Sequence, residues 1–449
     1  MSQISGKHRR SQSWDCFIEK RTGRRASRDS VQHVPNGPLL TLFFRIGICL
    51  LFVQPGACLR KACDEADIGC NPLNLLLYTT PICEQGYAQV IQSSQSGLFL
   101  DYLRASRAQG SSSSPVANTT TLTGLGSTGN DWSGGVYRPG GSIFLIPGNN
   151  TGIPIIDSAS NTVNTSALGG VVAGGTNQWF GGVLHPNGNI YGIDFLDSTM
   201  LEIDPITNAI TRYAIAGGAQ NWAGGTLARN GKIYGVPSVG TDVLIWDPVA
   251  QTTTKITGVG TGGNDWTGGV LAPNGKIYGI PRDSQSVLII DPATDTVDTT
   301  TISGLPATAA KYLGGVLSPD GRIYAIPFAE SAVMIIDPQT NTIDTTTLAG
   351  VGSAGNDWQG GVLGPDGKIY GIPYNNTSVL IIDTLTDTAD TTTLAGVGTA
   401  SADWRGGVLG LNGRIYGVPR GNANVLIIET NANASFCDAV LASAYLNKF

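Results

Sequence analysis

The chain has 449 residues, a formal net charge of −6, 61 glycines and only 13% charged side chains. Residues 1–57 hold 9 Lys/Arg against 3 Asp/Glu, which leaves 18 basic and 30 acidic residues, a net of −12, for the rest. An acidic body repels phosphate, which excludes nucleic acid and a charge-driven hold on anionic lipid, while an apolar fraction of 41% excludes global disorder.

Residues 1–38 are polar and basic, and Leu39–Val53 then runs apolar except for Arg45. Fifteen residues are short for a bilayer span but match the apolar region of an export signal; an internal buried helix is the alternative. A start of translation near Leu40 gives a compact leader with Arg45 as its charge. Small residues then precede a cysteine, in Pro55-Gly56-Ala57-Cys58. Lipidation at Cys58 leaves Cys63, Cys70, Cys83 and Cys437 after the leader, an even number suited to disulfides in an oxidising compartment. Their pairing is open, with a link from Cys437 to one of the other three as one option, and their spacing matches no zinc pattern. Residues 1–57 therefore read as leader and 58–117 as a cysteine-containing segment, with helical patterns at Asn74–Tyr78 and Leu98–Arg107 before a flexible Ser111–Ser114 linker.

From Asn118 the chain repeats. Aromatics preceding a Gly pair fall at Trp132, Trp179, Trp222, Trp266, Tyr312, Trp358 and Trp404, at intervals of 47, 43, 44, 46, 46 and 46 residues. One copy, from Trp266, offers four strands: GGVL, KIYGI, SVLII and DTTTI. Pro-Asn-Gly and Asp-Pro supply the turns, the first through positive φ, the second through the fixed φ of proline and a side-chain acceptor. Four strands per unit of this period is the signature of a propeller blade.

The ends of the array indicate how it closes. The seventh copy stops at Glu429 with no fourth strand, while Asn118-TTTLTGLGSTGNDW matches Asp344-TTTLAGVGSAGNDW at the other end. Thr119–Leu122 is expected to complete the last blade, because a closed ring has no free edge. The fold class is therefore all-β, a seven-bladed propeller over 118–430. Residues 431–449 form a C-terminal tail, with a helical pattern over Phe436–Asn447 and Ser435 as its N-cap.

Ser286-Val287-Leu288-Ile289-Ile290-Asp291, followed by Thr294 and Val297, resembles the YVTN/NHL-like β-propeller repeats of bacterial surface proteins. With its leader the chain is similar to exported lipoproteins of the spirochaete kind. The resemblance implies a protein at the bacterial outer membrane or cell surface, or secreted, that meets the membrane only through a lipid anchor and works as a monomer. It implies a binding module for a protein or glycan; such repeats specify fold far better than function.

Strand order puts the Pro-Asn-Gly and Asp-Pro turns on one face, the bottom, and the approach to each aromatic on the other, the top. The residue after the Ile-Pro turn varies: Arg282, Phe328, Tyr374 and Arg420, a pattern that places specificity there. Lys311-Tyr312 breaks the symmetry of the fifth copy and joins these candidates. Asp131, Asp357 and Asp403 precede aromatics on consecutive blades. They either converge on a hard cation such as Ca²⁺ or accept local backbone N–H bonds. Each recurrent Trp packs between blades or stacks on a ligand. His185, placed in a surface turn on the bottom face, is an unsuitable general base, and no nucleophile elbow, P-loop or HExxH occurs. No catalytic residue is assigned; a metal-dependent lactonase- or lyase-like activity at the channel mouth is the alternative function. The Asn375 glycosylation motif has meaning only in a eukaryotic source.

Overall fold

The computed structural model describes residues 114–430, apart from 126–128, 139, 172–175, 217–220, 354 and 411, together with the backbone of Asn447–Lys448. The leader, Cys58 and the other cysteines, and the helical patterns on either flank lie outside the described residues.

Within them the chain forms seven antiparallel sheets and no helix. Blade four shows the unit: Trp266–Leu271, Ile277–Pro281, Leu288–Asp291 and Thr296–Asp298, each paired with the next. The first of these strands packs against the first strands of the neighbouring blades, so the seven surround a common axis. Turn chemistry sets the register. The Asn274 carboxamide accepts from the Lys276 amide at 3.0 Å, and Gly275 takes φ +85° between them. The ring is a seven-bladed β-propeller, as the repeat spacing predicts.

Closure is in the predicted blade but uses a different segment. Val116–Asn118, three residues earlier than expected, pairs with Leu426–Glu429, with Ala117 opposite Ile428. The Thr119–Thr121 segment turns instead, because the Asn118 side chain accepts the amides of Thr120 (2.7 Å) and Thr121 (3.1 Å). The same correction applies to the DTTT runs. In blades four to six the fourth strand ends at Asp298, Asp344 or Asp390, whose carboxylate then caps the two amides that follow the next Thr. Aspartate competes with the ladder for its own backbone, and here it wins. Pairing resumes after the turn: Val425 donates to Leu122 O at 2.9 Å, and Val287 to Ile302 O at 3.0 Å.

Interlocking side chains fill the space between blades. One core joins blades seven, one and two through Val408, Tyr416 and Ile427 with Trp132 and Ile143. The second Gly of each aromatic-x-Gly-Gly run makes room for this. A Cβ on Gly135 in blade one lies 2.9 Å from the Val408 side chain of blade seven, so the seam admits no side chain there. Polar ties run beside the apolar ones. Buried tyrosines of the second strands reach the next blade's turn: Tyr278 Oη donates to Asn341 Oδ1 at 2.8 Å, and Tyr416 Oη to Asn161 Oδ1 at 2.9 Å across the closure. The acceptors Asn161 and Asn341 sit at φ +56° and +54°, a conformation Asn tolerates better than most residues.

His185 corrects a further expectation. It is only 5% exposed. Its Nδ1 accepts the Asn187 amide at 3.1 Å, so the Nε2–H donates to Gly231 O of blade three at 3.0 Å. It is a structural link between two bottom turns. Asn447–Lys448 pairs with Gly315 and Val316 on the innermost strand of blade five.

Candidate functional site

Two rings of side chains define the top of the channel. The outer ring is the residue after each second strand: Gly148, Phe195, Ser238, Arg282, Phe328, Tyr374 and Arg420. The inner ring, or throat, is the residue after each aromatic: Ser133, Phe180, Ala223, Thr267, Leu313, Gln359 and Arg405. No two neighbouring blades carry the same residue in either ring, although the strands beneath are nearly identical.

Backbone hydrogen bonds hold the outer ring. The Arg420 amide donates to Asp403 O at 2.9 Å, and the Tyr374 amide to Asp357 O at 2.8 Å. The carbonyls of Gly148, Ser238, Arg282, Phe328 and Tyr374 then accept from the following blade, as Phe328 O does from the Asp357 amide at 2.8 Å and Arg282 O from the Lys311 amide at 2.8 Å. Both main-chain groups of those five residues are consumed, so there the ring presents side chains only.

Those side chains interact. Phe328 and Tyr374 meet edge to face at 5.1 Å, and the Arg420 guanidinium lies over the Tyr374 ring at 4.9 Å. Phe180 and Phe195 pack at 5.6 Å on the far side. Arg282, Phe328, Tyr374 and Arg420 belong to four consecutive blades and form one arc, as their shared position in the repeat predicts.

Arg405 was missed in sequence, where the residue between the aromatic and the Gly pair is given no role. Its guanidinium reaches from blade seven past blade one to blade two. It donates to Ser133 Oγ and Asn130 Oδ1 at 3.1 Å each and stacks over Phe180 at 4.9 Å. It is 8% exposed, and its Nε has no partner. Burial, and then the charges of Arg420 and Arg282, pull it well below the ordinary arginine range. Among the described residues neither Arg405 nor Arg420 has a carboxylate at salt-bridge distance, and Arg420 Nε is also buried without a partner. The signal available in sequence was that only one of the seven copies has a charge in this slot.

The other candidates lie beneath the mouth. Asp357 and Asp403 are 2% and 1% exposed. Asp403 accepts the Thr399 amide and hydroxyl at 2.6 Å each and Asn422 Nδ2 at 3.1 Å; Asp357 does the same with Ser353 and Asn376. Asp131, 3% exposed, occupies the same slot in blade one. Among the described residues no group of three or more His, Cys, Asp or Glu is arranged to hold a metal ion. Lys311 is wholly buried; its Nζ donates to Thr308 O at 2.9 Å, reversing the polarity of the Asp-capped loops. Burial lowers its pKa, opposed by Asp283 and Glu330. Tyr312 beside it is 3% exposed. Five of the six recurrent tryptophans give their indole N–H to a carbonyl twenty residues on, as Trp358 does to Ser378 O at 2.7 Å. Trp132 Nε1 has no partner. All six rings are at most 2% exposed, which closes them to ligands.

The fold and its channel mouth define the chain as a seven-bladed β-propeller with a charged, aromatic rim. No protein-family model and no curated protein matches it in sequence. Solved propellers are similar in structure. A streptogramin B lyase aligns with a TM-score of 0.59 and 13% identity over 70% of this chain and 97% of the other. A catalytically inactive virginiamycin B lyase from Staphylococcus aureus, solved with quinupristin, gives 0.59 and 10% over 70% and 99%. The extracellular domain of a one-component system from B. thetaiotaomicron gives 0.52 and 12% over 71% of this chain, which spans 43% of that protein. At these identities the likeness is one of fold.

Proposed function

We propose that the protein is an exported binding module, held at the cell surface by lipid on Cys58, that takes a protein or glycan ligand at the top mouth of the propeller. The observation that carries this reading is where the repeats differ. Strands and turns recur almost unchanged, while the two rings at the mouth carry a different side chain on each neighbouring blade. Repetition serves the scaffold, and a specific site has to break it. The basic leader and apolar stretch support export, and so does the likeness to the extracellular domain of a one-component system. The extended repeat pattern fits the YVTN/NHL-like surface proteins.

The test is a binding screen of the mature full chain against immobilised extracellular proteins and glycans. Hits are expected to weaken in Arg282→Glu and Arg420→Glu variants that melt like wild type. Hits whose affinity neither substitution changes would place the ligand elsewhere on the molecule. Lipidation is tested separately, by mass spectrometry of the N-terminal peptide from cells.

A further inference from the structure

Two guanidiniums at the mouth, Arg405 and Arg420, have no carboxylate at salt-bridge distance among the described residues, while Arg282 pairs with Asp283. Arg405 is buried beneath it with an unpartnered Nε, Arg420 stands above it with another, and Arg282, whose Nε lies 3.8 Å from Asp283 Oδ1, adds its charge to that of Arg405. Burying a guanidinium without a counter-charge is costly, and proteins seldom retain one without a use for it. Planar guanidiniums held by stacking on Tyr374 and Phe180 are preset to take a planar oxyanion side-on. Around them lie apolar ring edges, and Thr267 Oγ1 is buried without a partner in the throat. Blade one adds no outer-ring side chain: a Cβ on Gly148 lies 2.4 Å from Asn130 O, so glycine keeps that side open.

Resting on the binding reading above, we propose that the mouth recognises a sugar acid, with the ligand carboxylate held by Arg405 and Arg420, steered by Arg282, and the ring seated against Tyr374, which the buried Phe328 backs. A sugar acid supplies what the site lacks: one planar anion, hydroxyls for the unpaired neutral groups, and a C–H face for the aromatics. A peptide fits less well. The outer-ring amides are bonded, and so are the carbonyls of Gly148, Ser238, Arg282, Phe328 and Tyr374, which leaves no continuous main-chain edge for a strand to join. A polyanion fits less well too, since the chain as a whole carries −6.

The experiment is calorimetric titration of the full mature chain with methyl β-D-glucuronide, methyl β-D-glucoside and N-acetyl-glutamate amide. The glucuronide is expected to bind saturably and the glucoside at least about ten-fold more weakly. Arg420→Gln is expected to cost about ten-fold, the loss of one charge-assisted contact. Arg405→Gln is a second variant, with its melting curve recorded to confirm folding. Lys368→Gln, remote from the mouth, should bind like wild type. Equal binding of glucuronide and glucoside overturns the carboxylate assignment while leaving a glycan-binding mouth. Preference for the glutamate derivative overturns the sugar and leaves an acidic-peptide site. Glucuronide binding that survives both Arg substitutions overturns the site. No binding of any of the three overturns the proposal, and the screen above then decides the broader reading on its own.

Discussion

The amide of Asp403 donates to the carbonyl of Tyr374 at 2.9 Å, and the carbonyl of Asp403 accepts the amide of Arg420 at the same distance. One residue, 1% exposed, thereby joins two neighbouring outer-ring positions, while its carboxylate folds the loop below them. The aspartates before the aromatics thus hold the mouth in shape without entering it. Variation above them is tolerated because the frame depends on main-chain groups and on a buried side chain.

It follows that Asp403→Ala should lower stability by about 2–3 kcal/mol, since the Thr399 amide and hydroxyl lose a charged acceptor in a buried loop. If the carboxylate works only within its loop, EDTA and added Ca²⁺ should leave the wild-type melting temperature unchanged. A Ca²⁺-dependent rise that disappears in Asp403→Ala would instead establish a cation site at the mouth.

Closure can be tested through Tyr416 and Asn161. Tyr416→Phe removes the hydroxyl that bonds Asn161 Oδ1 across the seam and should cost about 1 kcal/mol. Asn161→Ala removes the same bond and also puts alanine at φ +56°, so it should cost about 1 kcal/mol more. Urea unfolding of the two single variants and the double variant gives the coupling. Independent effects would show that this bond does not link blades seven and one.

The spacing of the aromatics made the propeller and its blade count legible, and the unmatched third strand at Glu429 made its closure legible. The three-residue error in the closing strand has a local cause. Asn118 and the aspartates of the DTTT runs are followed by β-branched threonines, which read as strand, but the side chain caps the amides and bends the chain. The tyrosine ties were not legible because the partners lie about one blade apart: 63 residues for Tyr278–Asn341 and 255 for Tyr416–Asn161. The outer ring of the mouth was legible because its variation stands out against the repeat. Arg405 was not, because the shape of the throat depends on how seven strands converge.

Asp194 stands where six blades have proline, and it is fully buried. Its Oδ1 accepts the amides of Asp197 and Ser198, at 2.9 and 2.6 Å, while Oδ2 has no partner. Burial raises its pKa to about 6. A raised carboxyl pKa means that the folded state holds the proton more tightly than the unfolded state. The contribution is full below about pH 4 and is lost as pH rises through about 6. Asp194→Asn keeps the Oδ1 acceptor and should melt a few degrees above wild type at pH 7.5, with the gap closing by pH 4. A gap independent of pH would mean that the carboxyl ionises as freely as in the unfolded chain.

Asp298, Asp344 and Asp390 act in the opposite sense. Hydrogen bonds from the following threonines hold the first two well below the ordinary carboxylate range. Burial opposes the same bonds at Asp390, which is also lowered. Their contribution is present above about pH 4 and lost as pH falls through the lowered values. Asn118 makes the equivalent turn in blade seven with no charge to titrate. Asp→Asn at all three positions should leave the turns formed and flatten the acid limb of the stability curve, measured by melting between pH 2 and 5. An unchanged limb would assign acid sensitivity to other carboxylates.

Arg405→Met tests what the buried charge costs. Methionine fills similar volume, and it gives up two bonds at 3.1 Å, to Ser133 and Asn130, along with the stacking on Phe180. Against those losses stands relief from a guanidinium buried beside Arg420 and Arg282 with no acid to balance it. Replacing buried charge by a well-packed apolar group is often neutral or stabilising by about 1–4 kcal/mol. The variant should therefore melt at or above the wild-type temperature in low salt. Its advantage should shrink when an oxyanion such as sulfate is added at matched ionic strength, because only the wild type has a charge for the anion to neutralise. Loss of several degrees on substitution, with no differential effect of sulfate, would make Arg405 a structural tie across the seam and remove the electrostatic reason for an anionic ligand.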